Sequence, residues 1–583
     1  MKKFLTINIL LAAIGLIGLA SCKKTFDILP KDQLDVSQMY TNVYDADAAV
    51  IGIYGKFMGL AERYVILNEL RADMVDYTTN ADKYLRQIST HTVTADNPYA
   101  NPKPFYELII NCNDVLKNFS IMRRDNKLKE AEFQQRYADI ASLRTFLYLQ
   151  LGIHYGNVPY VTDALVNIDA VKDESKFPKL PFTVLLDSLI NFTEALVYKD
   201  DYPAANTLNV TVDGYPTQKF FINKKFLLGD LHLWKGNYTN AATWYRQVME
   251  TGSVGVINGS YYSMYKIGWD GNGDLDHYIS YGRAGDATTL VTNSQWRIMF
   301  EQAMTTEGFR REWVWALPID NKFTAENPFV KLFSPIGGSY LLKPSQQAID
   351  MWNDEQQRPA QGTPGIPYDA RGQLSWKNIN GQPVVMKYLY NYLNFNTNLP
   401  INILKKDSKW FLYRQTHLHM RFAEAANRAG KTRLAWGLFN TGIAGAYPAP
   451  TSDVSLYHNT LTEPAPFNFD ARNSGATGVP YFRADWYRNI GIRLRANVND
   501  YPITNVSDSL MQIETGLINE TGLENGFEGT RWPDLLRIAL RRKDPAFLAD
   551  KVYNKLKKDG DPLADATRAK LMNKDNWYLP FKW

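Results

Sequence analysis

The chain has 583 residues, two cysteines and a formal net charge of +5 from 65 basic and 60 acidic residues. Two cysteines exclude a disulfide-stabilised scaffold, and the even balance of charge excludes the basic footprint of a nucleic-acid-binding protein. Aromatic residues reach 13%, with 28 Phe, 35 Tyr and 14 Trp. This content indicates either a core rich in rings or an aromatic surface that binds a ligand.

The N-terminus has the features of an export signal. Lys2 and Lys3 precede an uncharged, mostly apolar stretch from Phe4 to Ala20. Its dense part, Ile9–Ala20, suits the apolar region of a signal peptide and is short for a membrane span. The residues at its end, Leu19-Ala20-Ser21-Cys22, resemble a bacterial lipobox. We therefore expect a lipoprotein signal peptide over residues 1–21 and a lipid on the Cys22 thiol, with two or three acyl chains for stable anchoring. An ordinary cleaved secretory signal is the alternative.

The body of the chain is expected to be mainly α-helical. Residues 22–44 form the predicted lipidated N-terminus and tether, and residues 45–583 form one predicted domain. The spacing of apolar residues predicts helices over Asp45–Phe57, Phe105–Phe119, Glu132–Leu151, Ser507–Asn519 and Arg531–Arg541. Cys112 lies in the apolar context LIINCNDVL, which predicts a buried side chain.

One segment, KKFLLGDLHLWKGNYTNAATWYRQVMETG, matches the tetratricopeptide pattern of two paired helices. Gly229 and Ala241 are small where the two helices would cross closely, and Gly236 suits the turn between them. Leu231, Trp234 and Tyr245 are placed to fill the core of this hairpin.

A second segment, HLHMRFAEAANRAGKTRLAWGLFNTG, repeats the same offsets with Gly430, Ala435 and Phe439. It lies 194 residues beyond the first, so the repeats are not contiguous. Repeat units need stacked neighbours to bury their faces. We expect the helices around Phe146 and Leu186 to supply those neighbours.

Between Ser253 and Lys406 the helical period fades and Gly, Pro, Asn and Tyr cluster. Short strands are expected here, such as Glu312–Ile319. The predicted fold is therefore a tetratricopeptide-like scaffold of helical hairpins with a long irregular insert over about residues 253–406. An irregular stretch of this length in a compact protein usually has a function.

Several segments, in order, resemble the SusD/RagB family of surface glycan- or nutrient-binding lipoproteins. They are the lipobox, MYTNVYDADAAVIGIYGKF, PFYELIINCNDVL, IASLRTFLYLQLGIHYGNVPYV, RFAEAANRAG and GFEGTRWPDLLRIALRR. The chain departs from the family pattern at Ile538 and Ala539, where Trp-Gly is frequent, and at Lys23 and Lys24, where an acidic run often accompanies surface export.

The resemblance implies a protein anchored to the outer membrane by lipid alone and facing the cell exterior. Such a protein captures an oligosaccharide and passes it to a SusC-like TonB-dependent transporter, without catalysis and without a cofactor. Three alternatives remain open: a surface glycoside hydrolase, a peptide-binding RagB-like protein, and a purely protein-binding scaffold.

Sugar rings stack on aromatic side chains, and their hydroxyls need planar hydrogen-bonding partners. In SusD-like proteins the segment before the Cys-Asn helix contributes to the ligand site, which corresponds here to Glu69–Pro102. The resemblance and the sugar chemistry together predict ligand contacts at Asp73, Tyr77, Tyr84, Arg86 and Tyr99, with a second wall at Phe329 and Tyr340.

Other conspicuous residues are interpreted as structural. Trp234, Trp244 and Trp436 are assigned to the hairpin scaffold. In EGTRWPDLLR, ion pairs are expected for Glu528, Arg531 and Asp534, with Trp532 packed among them.

Metal binding has weak support. The oxygen-rich run Asp270–Asp276 resembles the start of a calcium loop, but Leu275 replaces the glycine and Tyr281 the final glutamate, so a polar turn is preferred. His417 and His419 face apart on a helix, and no signature of catalysis is present.

Overall fold

The computed structural model describes residues 39–249, 295–305, 312–320, 322, 327–359, 365, 367–447, 463–468 and 491–583. The predicted signal peptide, Cys22 and the possible calcium loop at Asp270–Asp276 lie outside these residues. The described part is mainly α-helical, as the sequence predicts.

The α-helices are α1 Val43–Met58, α2 Ala61–Val65, α3 Lys83–Ser89, α4 Lys103–Arg124, α5 Glu130–Tyr155, α6 Phe182–Glu194, α7 Lys224–Lys235, α8 Tyr238–Met249, α9 Gln295–Glu301, α10 Pro328–Phe333, α11 Gln346–Asn353, α12 Ala370–Ser375, α13 Gln415–Arg428, α14 Thr432–Phe439, α15 Ile443–Ala446, α16 Ile492–Arg495, α17 Ser509–Asn525, α18 Arg531–Arg542, α19 Pro545–Lys558 and α20 Ala564–Leu571. A π-helical turn, Ile66–Leu70, continues α2.

The strands are β1 Val75–Tyr77, β2 Val158–Pro159, β3 Lys179–Leu180, β4 Thr211–Val212, β5 Tyr215–Pro216, β6 Trp313–Ile319, β7 Leu342–Pro344, β8 Trp376–Ile379, β9 Gln382–Val385 and β10 Ser408–Arg414. They form two-stranded antiparallel sheets that pair β1 with β7, β2 with β3, β4 with β5, β6 with β10 and β8 with β9.

Helices α7 and α8 form the first predicted hairpin. Gly236 ends α7 with φ of +87°, a conformation that glycine adopts without steric cost. A Cβ at position 229 would lie 2.3 Å from the Tyr245 ring, so only glycine permits this crossing. Leu231 and Tyr245 are fully buried between the helices. The expectations for Gly229, Gly236, Leu231 and Tyr245 are confirmed, whereas Trp234 is only partly buried.

Helices α13 and α14 form the second hairpin, with Gly430 at φ of +80° in the turn. Ala435 and Phe439 are fully buried. Helix α8 packs directly on α13, so the two hairpins are neighbours in space despite their separation in sequence. Helix α6 packs between α5 and α7, which confirms the helices around Phe146 and Leu186 as the expected stacking partners.

The predicted strand in the irregular insert is present as β6. It pairs with β10, and every residue of both strands is buried. Rings from the two strands stack on each other, with the centroids of Trp313 and Phe411 4.2 Å apart. Much of the aromatic excess noted in the composition therefore belongs to the core.

Candidate functional site

The two predicted ligand walls are adjacent in the structure. Strand β1 pairs with β7, and the Thr78 hydroxyl donates to the Tyr340 carbonyl. The segment Glu69–Pro102 therefore contacts the segment that follows α10. The individual side chains nevertheless divide into exposed and buried groups.

Four of the predicted residues keep part of their surface exposed. The Arg86 guanidinium lies 5.6 Å from the Tyr77 ring centroid and donates to the Thr79 carbonyl. Tyr84 projects from another side of α3, with its hydroxyl 3.4 Å from Asp96 Oδ2. Tyr99 packs beside Arg63, which donates to its carbonyl. Tyr77 and Arg86 are thus brought together, and no contact joins them to Tyr84 or Tyr99 in the described structure.

Asp73 is in the core, which corrects its assignment to the ligand wall. Its side chain is fully buried, and both carboxylate oxygens accept from Arg531, at 2.6 and 2.8 Å. Burial alone would raise the pKa of Asp73, but Arg531 holds that pKa below its usual value. The carboxylate stabilises the start of α18 and has no surface for a sugar.

Phe329 and Tyr340 require the same correction. Phe329 is fully buried and stacks on Tyr388 with 4.2 Å between ring centroids. Tyr340 is 6% exposed, and its hydroxyl donates to the Pro383 carbonyl at 2.8 Å. Both rings pack against the interior because β7, β9 and α10 enclose them.

A set of fully buried charged side chains, called here the buried ion network, lies beside these rings. It consists of Glu312, Asp369, Arg371, Lys387, Arg414, Arg495, Glu520, Glu524 and Glu528. Arg414 is its centre, with its guanidinium 2.7 Å from Glu528, 2.8 Å from Glu524 and 3.0 Å from Glu312.

The cations of the network compensate its carboxylates. Burial alone would raise the pKa of Glu528, but Arg414 and Lys387 lower it to about 2. The expected ion pairs of EGTRWPDLLR are confirmed: Arg531 pairs with Asp73, and Asp534 with Arg537. Trp532 is fully buried. This motif is structural.

A large cavity, called here the basic cavity, opens where the first hairpin meets the C-terminal segment. Its volume is about 1180 Å³. It is lined by residues 71, 91, 93, 155–157, 179, 181–183, 186, 233–236, 238, 537, 540, 541, 543, 570, 574–576 and 578–581. Its size is near the upper end for pockets that hold drug-sized ligands, which leaves room for a short oligosaccharide.

Aromatic rings form one part of the cavity wall. Trp234, Tyr238, Tyr578 and Phe581 are partly exposed there, and the Phe182 ring packs edge-on to Trp234 with 5.4 Å between centroids. The assignment of Trp234 to the scaffold alone is therefore incomplete, because one side of its ring faces the cavity. Trp244 and Trp436 do not line it.

Arg71 lies in the depth of the wall and is 1% exposed. Its guanidinium stacks 4.0 Å from the Trp532 ring centroid, donates to the Trp577 carbonyl and lies 3.3 Å from His154 Nδ1. No carboxylate oxygen of the described residues lies within ion-pair distance of it. Burial lowers the pKa of Arg71 to about 9, although Tyr155 and Tyr578 act in the opposite direction.

The remaining side chains that could act as a nucleophile, an acid or a metal ligand are buried. Cys112 is fully buried as predicted, and burial raises the pKa of its thiol to about 12. His419 Nε2 lies 2.6 Å from the Leu438 carbonyl, and His417 Nε2 lies 3.5 Å from Glu528. Among the described residues, no three or more His, Cys, Asp or Glu side chains are grouped to hold a metal ion.

Comparison with solved structures identifies the architecture. A SusD superfamily protein from Bacteroides vulgatus matches with a TM-score of 0.56 and 16% identity, over 93% of this chain and 96% of its own. A laminarin-binding SusD-like protein matches with a TM-score of 0.52 and 14% identity, over 89% and 94%. A SusD-like carbohydrate-binding protein from Bacteroides fragilis matches with 0.51 and 14%, over 87% and 88%. The chain has a SusD-like fold. No family model and no curated protein matches its sequence.

Within this SusD-like fold, the predicted segment Glu69–Pro102 supplies part of the cavity wall, but the side chains predicted from it as ligand contacts do not line the cavity. Arg71, His91 and Val93 belong to the predicted segment Glu69–Pro102 and line the cavity, whereas none of the seven predicted contacts does. Most of the other lining residues come from distant segments that have no common motif. The basic residues Arg537, Arg541 and Lys543, which were not used in the sequence analysis, are a local signal from which this wall was open to prediction.

Membrane association is not visible in the SusD-like body itself. No helix among the described residues is long and apolar enough to cross a bilayer.

Proposed function

We propose that the chain is a non-catalytic, carbohydrate-binding lipoprotein that captures an oligosaccharide in the basic cavity. The observation that carries this proposal is the row of partly exposed rings, Trp234, Tyr238, Tyr578 and Phe581, along a cavity of oligosaccharide size. Polar side chains converge on the same space, as sugar hydroxyls require. Carbohydrate and laminarin binding by two proteins of the same fold support the ligand class.

The proposed setting follows the sequence. Cys22 carries the lipid that holds the protein at the outer membrane, facing the cell exterior, and a SusC-like TonB-dependent transporter receives the captured sugar. Tyr77, Tyr84, Arg86 and Tyr99 remain proposed contacts on the outer side of the segment Glu69–Pro102. Recovery of a large transporter with the tagged lipoprotein from outer membranes would support this setting, and extraction of the lipoprotein alone would contradict it.

Binding is tested by calorimetry of the full-length chain with a panel of defined oligosaccharides. We expect one class to bind, and Trp234→Ala combined with Tyr578→Ala to weaken it about tenfold or more, since each aromatic contact contributes about 0.5–1.5 kcal/mol. Trp436→Ala is the matched control, because this tryptophan occupies the second hairpin away from the cavity. The bound sugar should be recovered uncleaved.

The outcome also discriminates between surfaces. If the cavity variant binds as the wild type does and Tyr84→Ala with Tyr99→Ala abolishes binding, the site is the outer surface of α3 and the cavity assignment is wrong. Retained circular dichroism and thermal midpoint would establish that each variant is folded.

A further inference from the structure

The charge on the wall of the basic cavity is strongly asymmetric. Eight lysine and arginine side chains line it, against a single carboxylate, Asp575. Four of the eight already have anionic partners. Arg537 and Arg541 pair with Glu424, Lys235 pairs with Asp187, and Lys179 pairs with Glu174. These pairs leave four cations that the local carboxylates do not neutralise.

The four remaining cations are Arg71, Lys543, Lys570 and Lys574. No carboxylate of the described residues lies within 4.0 Å of any of them. Arg71 lies deep in the wall, and its Nε has no hydrogen-bond partner among the described residues. The three lysines are exposed. A ligand in the cavity would therefore meet positive charge both at its inner end and along the rim.

Helix termini explain only part of this arrangement. Helices α5, α7, α18 and α20 all end at the cavity, and each C-terminus carries about half a negative charge. This accounts for basic residues in the last turns, such as Lys235, Arg541 and Lys570. Arg71 likewise follows directly on the π-helical turn Ile66–Leu70 and lies at its C-terminus. Lys574 lies at no α-helix end, and the half charge of a helix terminus is smaller than the full charge of each cation, so positive charge remains for a ligand.

Cations and rings alternate along the same wall. The Arg537 guanidinium lies 5.5 Å from the Trp234 ring centroid, the Arg541 guanidinium 5.8 Å from Tyr238, and Lys179 Nζ 5.2 Å from Phe581. A sugar ring whose C–H face stacks on these aromatics would hold its substituents next to ammonium and guanidinium groups. An acidic sugar combines such a ring with a charged substituent.

We propose that the basic cavity binds an anionic oligosaccharide, one whose sugar rings carry carboxylate or sulfate groups. This inference rests on the proposed function and specifies its ligand class. The rings supply stacking, Arg71 supplies a buried positive charge at the inner end, and Lys543, Lys570 and Lys574 supply charge at the rim. Either acidic group satisfies this chemistry, so the experiment includes both.

The test is calorimetry of the full-length chain with three probes of equal length: an oligogalacturonide, a chondroitin sulfate oligosaccharide and a neutral galactan oligosaccharide. At low salt, we expect at least one anionic probe to bind about tenfold or more tightly than the neutral one, with an affinity that falls steeply as salt screens the rim lysines. Binding of the oligogalacturonide shows that carboxylates suffice, whereas binding of the chondroitin sulfate probe alone, which carries both groups, shows that sulfate is required.

The double variant Lys543→Gln and Lys574→Gln should weaken the anionic probe about tenfold and leave the neutral one unchanged, because these exposed lysines have no carboxylate partner among the described residues and the change removes their charge. Lys117→Gln with Lys406→Gln removes the same charge from exposed positions outside the cavity and should change neither. An equal effect of both double variants would overturn the inference, since the anionic probe would then be attracted by the overall charge of the protein and not by the lysines of the cavity.

The remaining outcomes separate the two proposals. Equal affinity for neutral and anionic probes overturns the anionic ligand class and leaves carbohydrate capture standing. Binding of none of the probes, and of no sugar in the wider panel, overturns the proposed function and this inference together.

Discussion

The two ends of helix α18 lie in regions that use basic side chains differently. Near its start, Glu528 joins Arg414 and Lys387 in the buried ion network, where every side chain is fully buried and the cations are held by carboxylates. Just after its end, Lys543 lines the basic cavity, where four cations have no carboxylate partner among the described residues. The same residue types stabilise the fold in one region and remain available to a ligand in the other.

Under the proposed function, pairing with carboxylates, more than burial, separates the cations that stabilise the fold from those that bind a ligand. Arg71 is the informative case. It is as buried as Arg414, yet its partners are a carbonyl, a histidine nitrogen and the face of Trp532. It belongs to the cavity by its lining position, and no described residue gives it a carboxylate partner. Three predictions test this distinction.

The largest effect is expected from Arg414→Met. This change would leave Glu312, Glu524 and Glu528 buried without their shared cation, and breaking a buried ion pair costs about 3–5 kcal/mol in the free energy of unfolding. Urea unfolding followed by circular dichroism measures the loss. Lys574→Met, the matched change in the cavity, should stay within about 0.5 kcal/mol of the wild type. Similar losses of unfolding free energy for both variants would mean that pairing with carboxylates does not distinguish the cations of the network from those of the cavity.

The second prediction concerns acid. Because Arg414 and Lys387 lower the pKa of buried Glu528 to about 2, below its ordinary value of 4.5, the folded state keeps this carboxylate ionised where the unfolded chain protonates it. Its contribution, on the order of 3 kcal/mol, is complete above about pH 4.5 and is lost as the pH falls toward 2. The gap in unfolding free energy between wild type and Glu528→Gln should therefore narrow from pH 5 to pH 3.

Urea unfolding at each pH measures that gap. Glu107→Gln, at an exposed position on α4, serves as the control and should show a small gap that hardly changes with pH. A constant gap for Glu528→Gln would show that the network does not hold this carboxylate ionised.

The smallest of the three main effects on stability is expected from Arg71→Met. This change leaves no carboxylate unpaired and removes only the hydrogen bonds to Trp577 and His154 and the stacking on Trp532, so the loss should be about 1–2 kcal/mol. Affinity for the anionic probe should fall in the same variant. If Arg71→Met destabilises the protein as much as Arg414→Met does, burial rather than pairing decides the role of a cation in this fold.

The sequence predicted those parts of the fold that depend on neighbours along the chain. Gly229, Gly236 and Gly430 have local steric reasons, and a helical hairpin is completed within about thirty residues. The order of several such motifs was enough to indicate the SusD-like architecture.

The candidate site depends on contacts between segments that are far apart in sequence. The spacing of residue types along the chain does not indicate which of these segments meet. Arg71 reaches the Trp577 carbonyl across 506 positions, and Arg531 reaches Asp73 across 458. Asp73 and Phe329 belong to residue types that bind sugars on a surface, and only their packing shows that these two stabilise the core. Trp234 was assigned to the scaffold because the hairpin pattern cannot show which face of a ring stays open.

The residues from Trp577 to Trp583 have a practical consequence for protein engineering. The Leu579 amide donates to the His154 carbonyl at 2.8 Å, Trp577 provides the carbonyl that holds Arg71, and Tyr578 and Phe581 complete the wall of the cavity. Trimming this segment to aid crystallisation would remove part of the pocket while most helices stayed intact. A shortened protein could pass every test of folding and still report no ligand.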